Sequence, residues 1–562
     1  MQSLLASRVD RLAPADRNLL QAAAVVGRRF DPDLVAVVGG ASGTAQTSFA
    51  AAEAFDLIRR VEGSSDYIFK HALVRDALYN GLLSGPRAAL HLRVAEELER
   101  RGGNRLMEIA ETLAHHFSET SRVDKAFAYL AMAGDKSLDI YALQEAEKNY
   151  RHALKIFDDH DACASSESVA AVVVRLLEAF VLEGDYRDFG RVTEKYLPLM
   201  RKAGESPDLV KVLYYQGLLT FLNLEDLRES HRLMAEAHAI AERLGAGRAR
   251  AYARYGLLLI RSTMGLDAPE TSERMSAEMM EDSLRYGDNY IRNFSSWMVG
   301  QHYLLHGLFK EAREAALQFM KWGEQHGDPR AIGLANFTLS LAELGYEAPE
   351  AALARAEDCV RFAVTPNEQR WGAGVRAVAN IALGRFHAGL LQLDTLNLEY
   401  ERLGVNFNRF SWPRGQALLL SGEFAEGIRV IEREIDRYAK AGDAWISTYL
   451  RVQLDGFYVQ VLTSKEKPPP GLVRKNFRTL IGIKLFGARR AAALLRQAAS
   501  SRHLSDRGVT RALIDFNLGA LSAMKTKRAE AKGYFEKART AAEDQGADKL
   551  LQKIDAALAQ LG

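Results

Sequence analysis

The sequence predicts an all-α repeat protein, and three observations carry that prediction. Proline is scarce, 13 in 562 residues, about half the usual frequency. From about residue 101 onward apolar positions recur at helical spacing in one segment after another. Turns of similar composition return at steps of 39, 38 and 38 residues. Hydrophobic residues make up 48% and charged residues 26%, so a packed core is available and global disorder is excluded.

Residues 1–100 form a domain of their own in this reading. Pro14 to Val26 carries Leu19, Leu20, Ala23 and Val26 on one helix face, with a proline near the start. Asp31 to Val38 and Thr44 to Asp56 read as two further helices. The period then changes. Leu57–Val61 and Tyr67–Lys70 are strand-like, with the turn Glu62-Gly63-Ser64-Ser65-Asp66 between them. A helix from about Ala72 to Leu83 follows. Three helices and a β-hairpin are the layout of a winged-helix-like domain.

Residues 101–464 form the main helical array, and residues 465–562 a basic loop followed by C-terminal repeats. Ala146, Tyr150 and Ala153 lie at i, i+4 and i+7, and Ala531, Phe535 and Ala538 repeat that spacing. Small residues let helix backbones approach, and the aromatic fills the groove. The turns Gly307-Leu308-Phe309, Gly384-Arg385-Phe386 and Gly422-Glu423-Phe424 share a glycine suited to a left-handed helix cap, with Tyr346-Glu347 as a weaker copy. About eleven or twelve helix pairs fit residues 101–562 as an α-solenoid. Lys465–Gly471 contains Pro468, Pro469 and Pro470 and reads as a loop.

Net charge is +2 (74 basic against 72 acidic residues) and names no partner by itself. Its distribution is uneven. Ser464 to Arg511 holds twelve Lys or Arg against two acidic residues. Arg474, Lys475, Arg478, Lys484, Arg489, Arg490 and Arg496 alternate with apolar residues there, which suits an amphipathic helix meeting an acidic protein, nucleic acid or anionic lipid. The competing reading is a solvated face balanced by acidic neighbours elsewhere. The two cysteines, Cys163 and Cys359, exclude a disulfide scaffold and a Cys-based zinc site, and fit a reducing, cytoplasmic setting. No stretch reads as a membrane span.

Three segments together resemble a known family: Gln2–Leu12, Ala22–Phe30 and Tyr67–Tyr79, the last with the string Phe69-Lys70-His71-Ala72-Leu73-Val74-Arg75-Asp76 after a hairpin. They are similar to the portion after the ATPase module in bacterial STAND-type signal-transduction ATPases, and Ala114-His115-His116-Phe117 continues the likeness to about residue 157. The resemblance implies a winged helix joined to tetratricopeptide-like sensor repeats. It also implies relatives fused to adenylate or guanylate cyclase domains, or acting as transcriptional regulators. His71 matches the histidine that in such proteins lies near the nucleotide's phosphates. Here it either packs the hairpin on the next helix or contacts a phosphate of an NTPase supplied in trans. The sequence carries no Gly-x-x-x-x-Gly-Lys-(Ser/Thr) string, the usual triphosphate cradle. The expectation is a sensor half separated from its motor.

Other chemistry finds little support in the residues. No Gly-x-Ser-x-Gly occurs. His115 and His116 are adjacent on a helix and diverge by about 100°, so no metal is expected there. His302 and His306 lie at i, i+4 but flank Tyr303-Leu304-Leu305, which reads as core. The third helix, Thr44–Asp56, has no Lys or Arg, against groove binding to DNA. The expected function is therefore non-catalytic, without a cofactor or metal. It is a sensor or scaffold that binds a protein or peptide, with a separate ATPase or cyclase as a further partner. Tyr214, Tyr215, Trp297, Tyr303, Trp371, Phe410 and Trp412 are candidates for the concave surface, or else core. The alternative is a regulatory fragment of a cyclase, ATPase or transcriptional regulator.

Overall fold

The computed structural model describes residues 9, 11–40, 49–160, 163–223, 226–405, 412–464 and 468–561. Phe410, the Lys465–Lys467 segment, most of the N-terminal motif and the first residues of the expected third helix lie outside these. The chain forms two compact units, Met1–Ala179 and Phe180–Gly562.

Unit 1 opens with α1 (Pro14–Val26), β1 (Arg29–Phe30), α2 (Pro32–Gly39), α3 (Ala50–Ala54), β2 (Ile58–Arg60), β3 (Tyr67–Phe69) and α4 (Ala72–Asn80). The strands form an antiparallel sheet in the order β1-β3-β2, with Phe30 opposite Tyr67 and Arg59 opposite Ile68. β1 escapes sequence reading because two residues show no alternation. Phe30, Phe49, Tyr67 and Phe69 cluster, with ring centres 5.3–6.0 Å apart. This buries the sheet's inner face against α1. α5 (Ser84–Gly102), a 3₁₀ turn, α6 (Ala110–Ser118), α7 (Val123–Asp139) and α8 (Leu143–Asp159) follow as packed helices, and α9 (Ser166–Glu183) runs into unit 2. α5 packs on α6. The two compact units divide within α9.

Unit 2 continues as helix pairs: α10 (Phe189–Ala203), α11 (Pro207–Asn223), α12 (Leu227–Leu244), α13 (Gly247–Thr263), α14 (Pro269–Tyr286), α15 (Asn289–Leu305), α16 (Phe309–His326), α17 (Pro329–Gly345), α18 (Pro349–Phe362), α19 (Pro366–Ala382) and α20 (Phe386–Arg402). Then come α21 (Trp412–Leu420), α22 (Phe424–Ala441), α23 (Ala444–Thr463), α24 (Pro470–Lys475), α25 (Phe477–Gly482), a π-turn at Ile483–Gly487, α26 (Ala488–Ala499), α27 (Val509–Met524), α28 (Arg528–Gln545) and α29 (Asp548–Leu561). The fold is all-α apart from the small sheet, as the sequence predicts. Asp226, Asp288, Asp328 and Asp443 cap the starts of α12, α15, α17 and α23 by accepting backbone N–H groups. α24 begins at Pro470, inside the expected loop, because proline is tolerated in a helix's first turn.

The repeated Ala–aromatic–Ala face has a physical partner. The Tyr150 ring stands on Gly134 and the Phe535 ring on Gly519, each 16 residues earlier on the preceding helix. A Cβ at 519 would lie 2.7 Å from Phe535 ring carbons. Gly519→Ala is therefore expected to destabilise the C-terminal pair by about 1–3 kcal/mol through overpacking. Urea unfolding of the variant checks this, and an unchanged midpoint would refute it.

The turn glycines Gly307, Gly384 and Gly422 take φ of +76°, +77° and +84°. In the weaker copy Glu347 fills that position at +55°, which costs a non-glycine residue about 1 kcal/mol. Its carbonyl accepts from Lys549 Nζ, and its carboxylate pairs with Lys553 at 2.6 Å. The strained residue thus anchors α29.

Unit 2 also closes upon itself. Tyr186 N–H donates to the Leu403 carbonyl (2.8 Å), and Asn367 Nδ2 donates to the Val181 carbonyl (2.9 Å). Val509 N–H donates to the Gly307 carbonyl (2.8 Å), and Tyr346 Oη donates to the Gln545 carbonyl (2.9 Å). Asn367–Val181 and Tyr346–Gln545 lie 186 and 199 positions apart, about five repeats of the array. The segment after Pro468 is therefore docked onto the preceding repeats.

Candidate functional site

The self-contact of unit 2 encloses a cavity of about 880 Å³, inside the range of roughly 300–1,000 Å³ that holds small ligands and peptide anchors. Helix α23 forms its central wall. Trp445, Tyr449, Gln453, Gly456 and Gln460 line the cavity from one face of that helix, at spacings of 4, 4, 3 and 4. Its other faces are packed against α22, α26 and α27. An apolar pattern on all sides marks such a central helix. Trp412 of α21 meets Tyr449 edge to face, ring centres 5.1 Å apart. Phe457 leans on Phe424 at 5.0 Å, and Phe516 and Asn517 enter from α27. Glu347, Lys549 and Lys553 bring charge to the lining.

The walls combine aromatic faces with side-chain amides. Gln416, Gln453, Gln460 and Asn517 each offer a donor and an acceptor. Tyr449 keeps part of its surface open to the cavity, yet burial pushes its phenol up to about 12, so it stays neutral. Behind the wall, Asn517 Nδ2 donates to Asp455 Oδ1 at 2.7 Å. Asp455 is fully buried, and burial raises its pKa well above the ordinary carboxylate range despite that bond.

A histidine cluster borders the same cavity. His503 lines it, and His306 Nδ1 bonds the His503 carbonyl. His302 and His306 rings lie 4.6 Å apart. Burial lowers His302 to about 3 and His503 to about 4, and His306 is lowered for the same reason. Their folded pKa values lie below the unfolded value of about 6.5. The stability they contribute is therefore full above pH 6.5 and is lost as pH falls toward 4. At pH 5 each of His302 and His503 costs about 2 kcal/mol. Asp455 acts in the opposite sense, since its raised pKa penalises the fold as pH rises. Asp455→Asn is thus expected to lose stability between pH 7 and pH 5 more steeply than wild type. Parallel slopes in thermal melts would contradict this.

Most of the aromatics that the sequence leaves as either concave surface or core prove to be core. Tyr214, Tyr215 and Trp297 are buried. Tyr214, Tyr215, Tyr252, Tyr290, Phe294 and Trp297 form a continuous run of ring contacts. Trp371 stacks on Trp297 at 5.5 Å, and Tyr303 is half-buried. Of the seven, Trp412 lines the cavity. Sequence reading misses Trp445, Tyr449, Phe457 and Phe516. For the three on α23 the one signal is the pair of glutamines, Gln453 and Gln460, at i, i+7 on the face that carries Tyr449.

The basic residues lie elsewhere. Arg474, Lys475, Arg478, Lys484, Arg489, Arg490 and Arg496 are all exposed on α24–α26. Exposed Phe477, Ile481, Leu485 and Phe486 lie among them in sequence. Lys475 pairs with Glu423. The segment is held to the array by Asn476, whose Nδ2 donates to the Gly422 carbonyl (2.9 Å). His71 is exposed at the start of α4. His115 and His116, expected to diverge, lie with ring centres 5.1 Å apart on α6, and both reach a third histidine, His91 of α5.

The sequence matches no protein-family model. An uncharacterised protein of Rhizobium meliloti (strain 1021) is 31% identical over 181 residues, covering 31% of this chain and 17% of that protein. Among solved structures, one similar chain is a Signal Transduction ATPase with Numerous Domains (STAND) protein with a tetratricopeptide repeat sensor from Pyrococcus horikoshii. It is 12% identical, covers 79% of this chain and 65% of that one, and has a TM-score of 0.42. Another is a Rap protein complexed with Competence and Sporulation Factor, at 11% identity, 78% and 100% coverage and a TM-score of 0.33. Among the described residues no helix is long and apolar enough to cross a membrane.

Proposed function

We propose that the chain is a non-catalytic sensor or scaffold whose second unit binds a short extended peptide, or such a segment of a protein, in the cavity against α23. The observation that carries this reading is the lining itself. Trp412, Tyr449 and Phe457 offer faces for apolar side chains, and Gln416, Gln453, Gln460 and Asn517 can pair with peptide N–H and C=O groups. A peptide selected from a random display library against the full chain is expected to quench or enhance the fluorescence of Trp412 and Trp445 saturably. Selection of no peptide that changes this emission would refute the proposal.

A second surface supports a partner role in bacterial signal transduction. The exposed basic residues Arg474, Arg478, Lys484, Arg489, Arg490 and Arg496, with exposed Phe477, Leu485 and Phe486 in the same segment, suit an acidic amphipathic segment of a regulated protein. A separate ATPase or cyclase fits the resemblance of residues 1–157 to STAND-type proteins, with the first unit acting as a winged-helix-like adaptor. In that arrangement exposed His71 would face a phosphate supplied by the partner. The alternative is that the chain is the regulatory portion of a cyclase, ATPase or transcriptional regulator.

A further inference from the structure

We infer that His91, His115 and His116 form a binding site for one borderline divalent transition metal of the Zn²⁺ class, clipping α5 to α6. Each residue offers one ring nitrogen, and these nitrogens all lie within 4.8 Å of one another. His91 Nδ1 and His116 Nδ1 are 2.9 Å apart. Ligands on a tetrahedral ion with Zn–N bonds of about 2.0–2.1 Å are separated by about 3.3 Å, so small ring rotations suffice. The ring centres of the three pairs lie 5.1–5.6 Å apart.

Two further features prepare these rings for coordination. Tyr79 Oη lies 3.0 Å from His91 Nε2. By accepting from Nε2–H it would leave the Nδ1 lone pair aimed at the ion, the usual outer partner of a metal-bound imidazole. His115 is exposed and gives the ion a path from solvent.

The donor set decides which ion. Three imidazoles without a carboxylate or thiolate suit Zn²⁺, Co²⁺, Ni²⁺ or Cu²⁺ and give no hold to Mg²⁺ or Ca²⁺. Arg75 and Arg87 lie 5.0 and 5.3 Å from the Tyr79 ring centre, so the local field repels cations. Only an ion that forms coordination bonds would remain. Adjacent histidines alone could not build this site; α5 supplies the third ligand from 25 positions away.

The test uses the full chain without an affinity tag and titrates Zn²⁺ alone by calorimetry and Co²⁺ by visible absorption. One saturable equivalent is expected, with the intense Co²⁺ band of low coordination number. His115→Ala, at an exposed position, should abolish that uptake while leaving metal-free thermal melting unchanged. Tyr79→Phe should weaken it about tenfold. Absence of saturable uptake by the wild type, or uptake unaltered by His115→Ala, would overturn the assignment.

Discussion

Glu368→Ala is expected to destabilise unit 2 by about 3–5 kcal/mol. Arg330 Nε donates to Glu368 Oε1 at 2.5 Å, and both side chains are buried, at 2% and 5% exposure. The guanidinium lies 4.9 Å from the Phe294 ring centre and 5.6 Å from that of Tyr290. Removing the carboxylate takes the Glu368 counter-charge from a buried cation, which costs more than the pair contributes. Glu368 also completes a capping box with Thr365 at the start of α19, and Oε2 accepts from the Val364 and Thr365 N–H groups. Urea unfolding followed by tryptophan emission reads the change locally, because Trp297 and Trp371 stack beside Phe294. Arg330→Met combined with Glu368→Gln should cost less than the two single changes summed. A Glu368→Ala loss below about 1 kcal/mol would show that water reaches the pair.

Gly456→Leu is expected to abolish peptide binding while leaving the fold intact. Gly456 faces the cavity between Gln453 and Gln460. A Cβ there would meet only Asn517 Nδ2, at an ordinary 3.6 Å. Longer side-chain atoms would then occupy the space an apolar anchor needs. Small-to-large changes in packed cores cost about 1–3 kcal/mol, but here the added atoms enter a cavity. Peptide affinity should fall by a hundredfold or more, about 2.7 kcal/mol, with melting unchanged. Retained affinity would place the peptide elsewhere.

These two predictions differ in how far the sequence alone reaches. The 38-residue turns and the Ala–aromatic–Ala faces are local patterns, so the helix pairs can be read directly from residue spacing. Even the weak copy at Tyr346-Glu347 is recoverable, since Glu347 takes the backbone conformation its glycine counterparts take. The cavity is different. Its walls come from residues between Leu304 and Lys553, brought together only because the array returns onto itself. No single helix announces that return. The contacts that make it, Asn367 to Val181 and Tyr346 to Gln545, involve ordinary polar residues without a motif. The same reason hides His91, which no spacing rule links to His115 and His116. For Tyr214 and Trp297 the sequence leaves core and binding face open, because aromatics at repeat interfaces and aromatics on a binding face share the same helical spacing.

Hydrogen–deuterium exchange of the full chain, with and without the selected peptide, locates the binding surface. Binding against α23 predicts slowed exchange in α21, α23 and α27, with α24–α26 unaffected. Protection confined to residues 470–499, or none at all in unit 2, would contradict it.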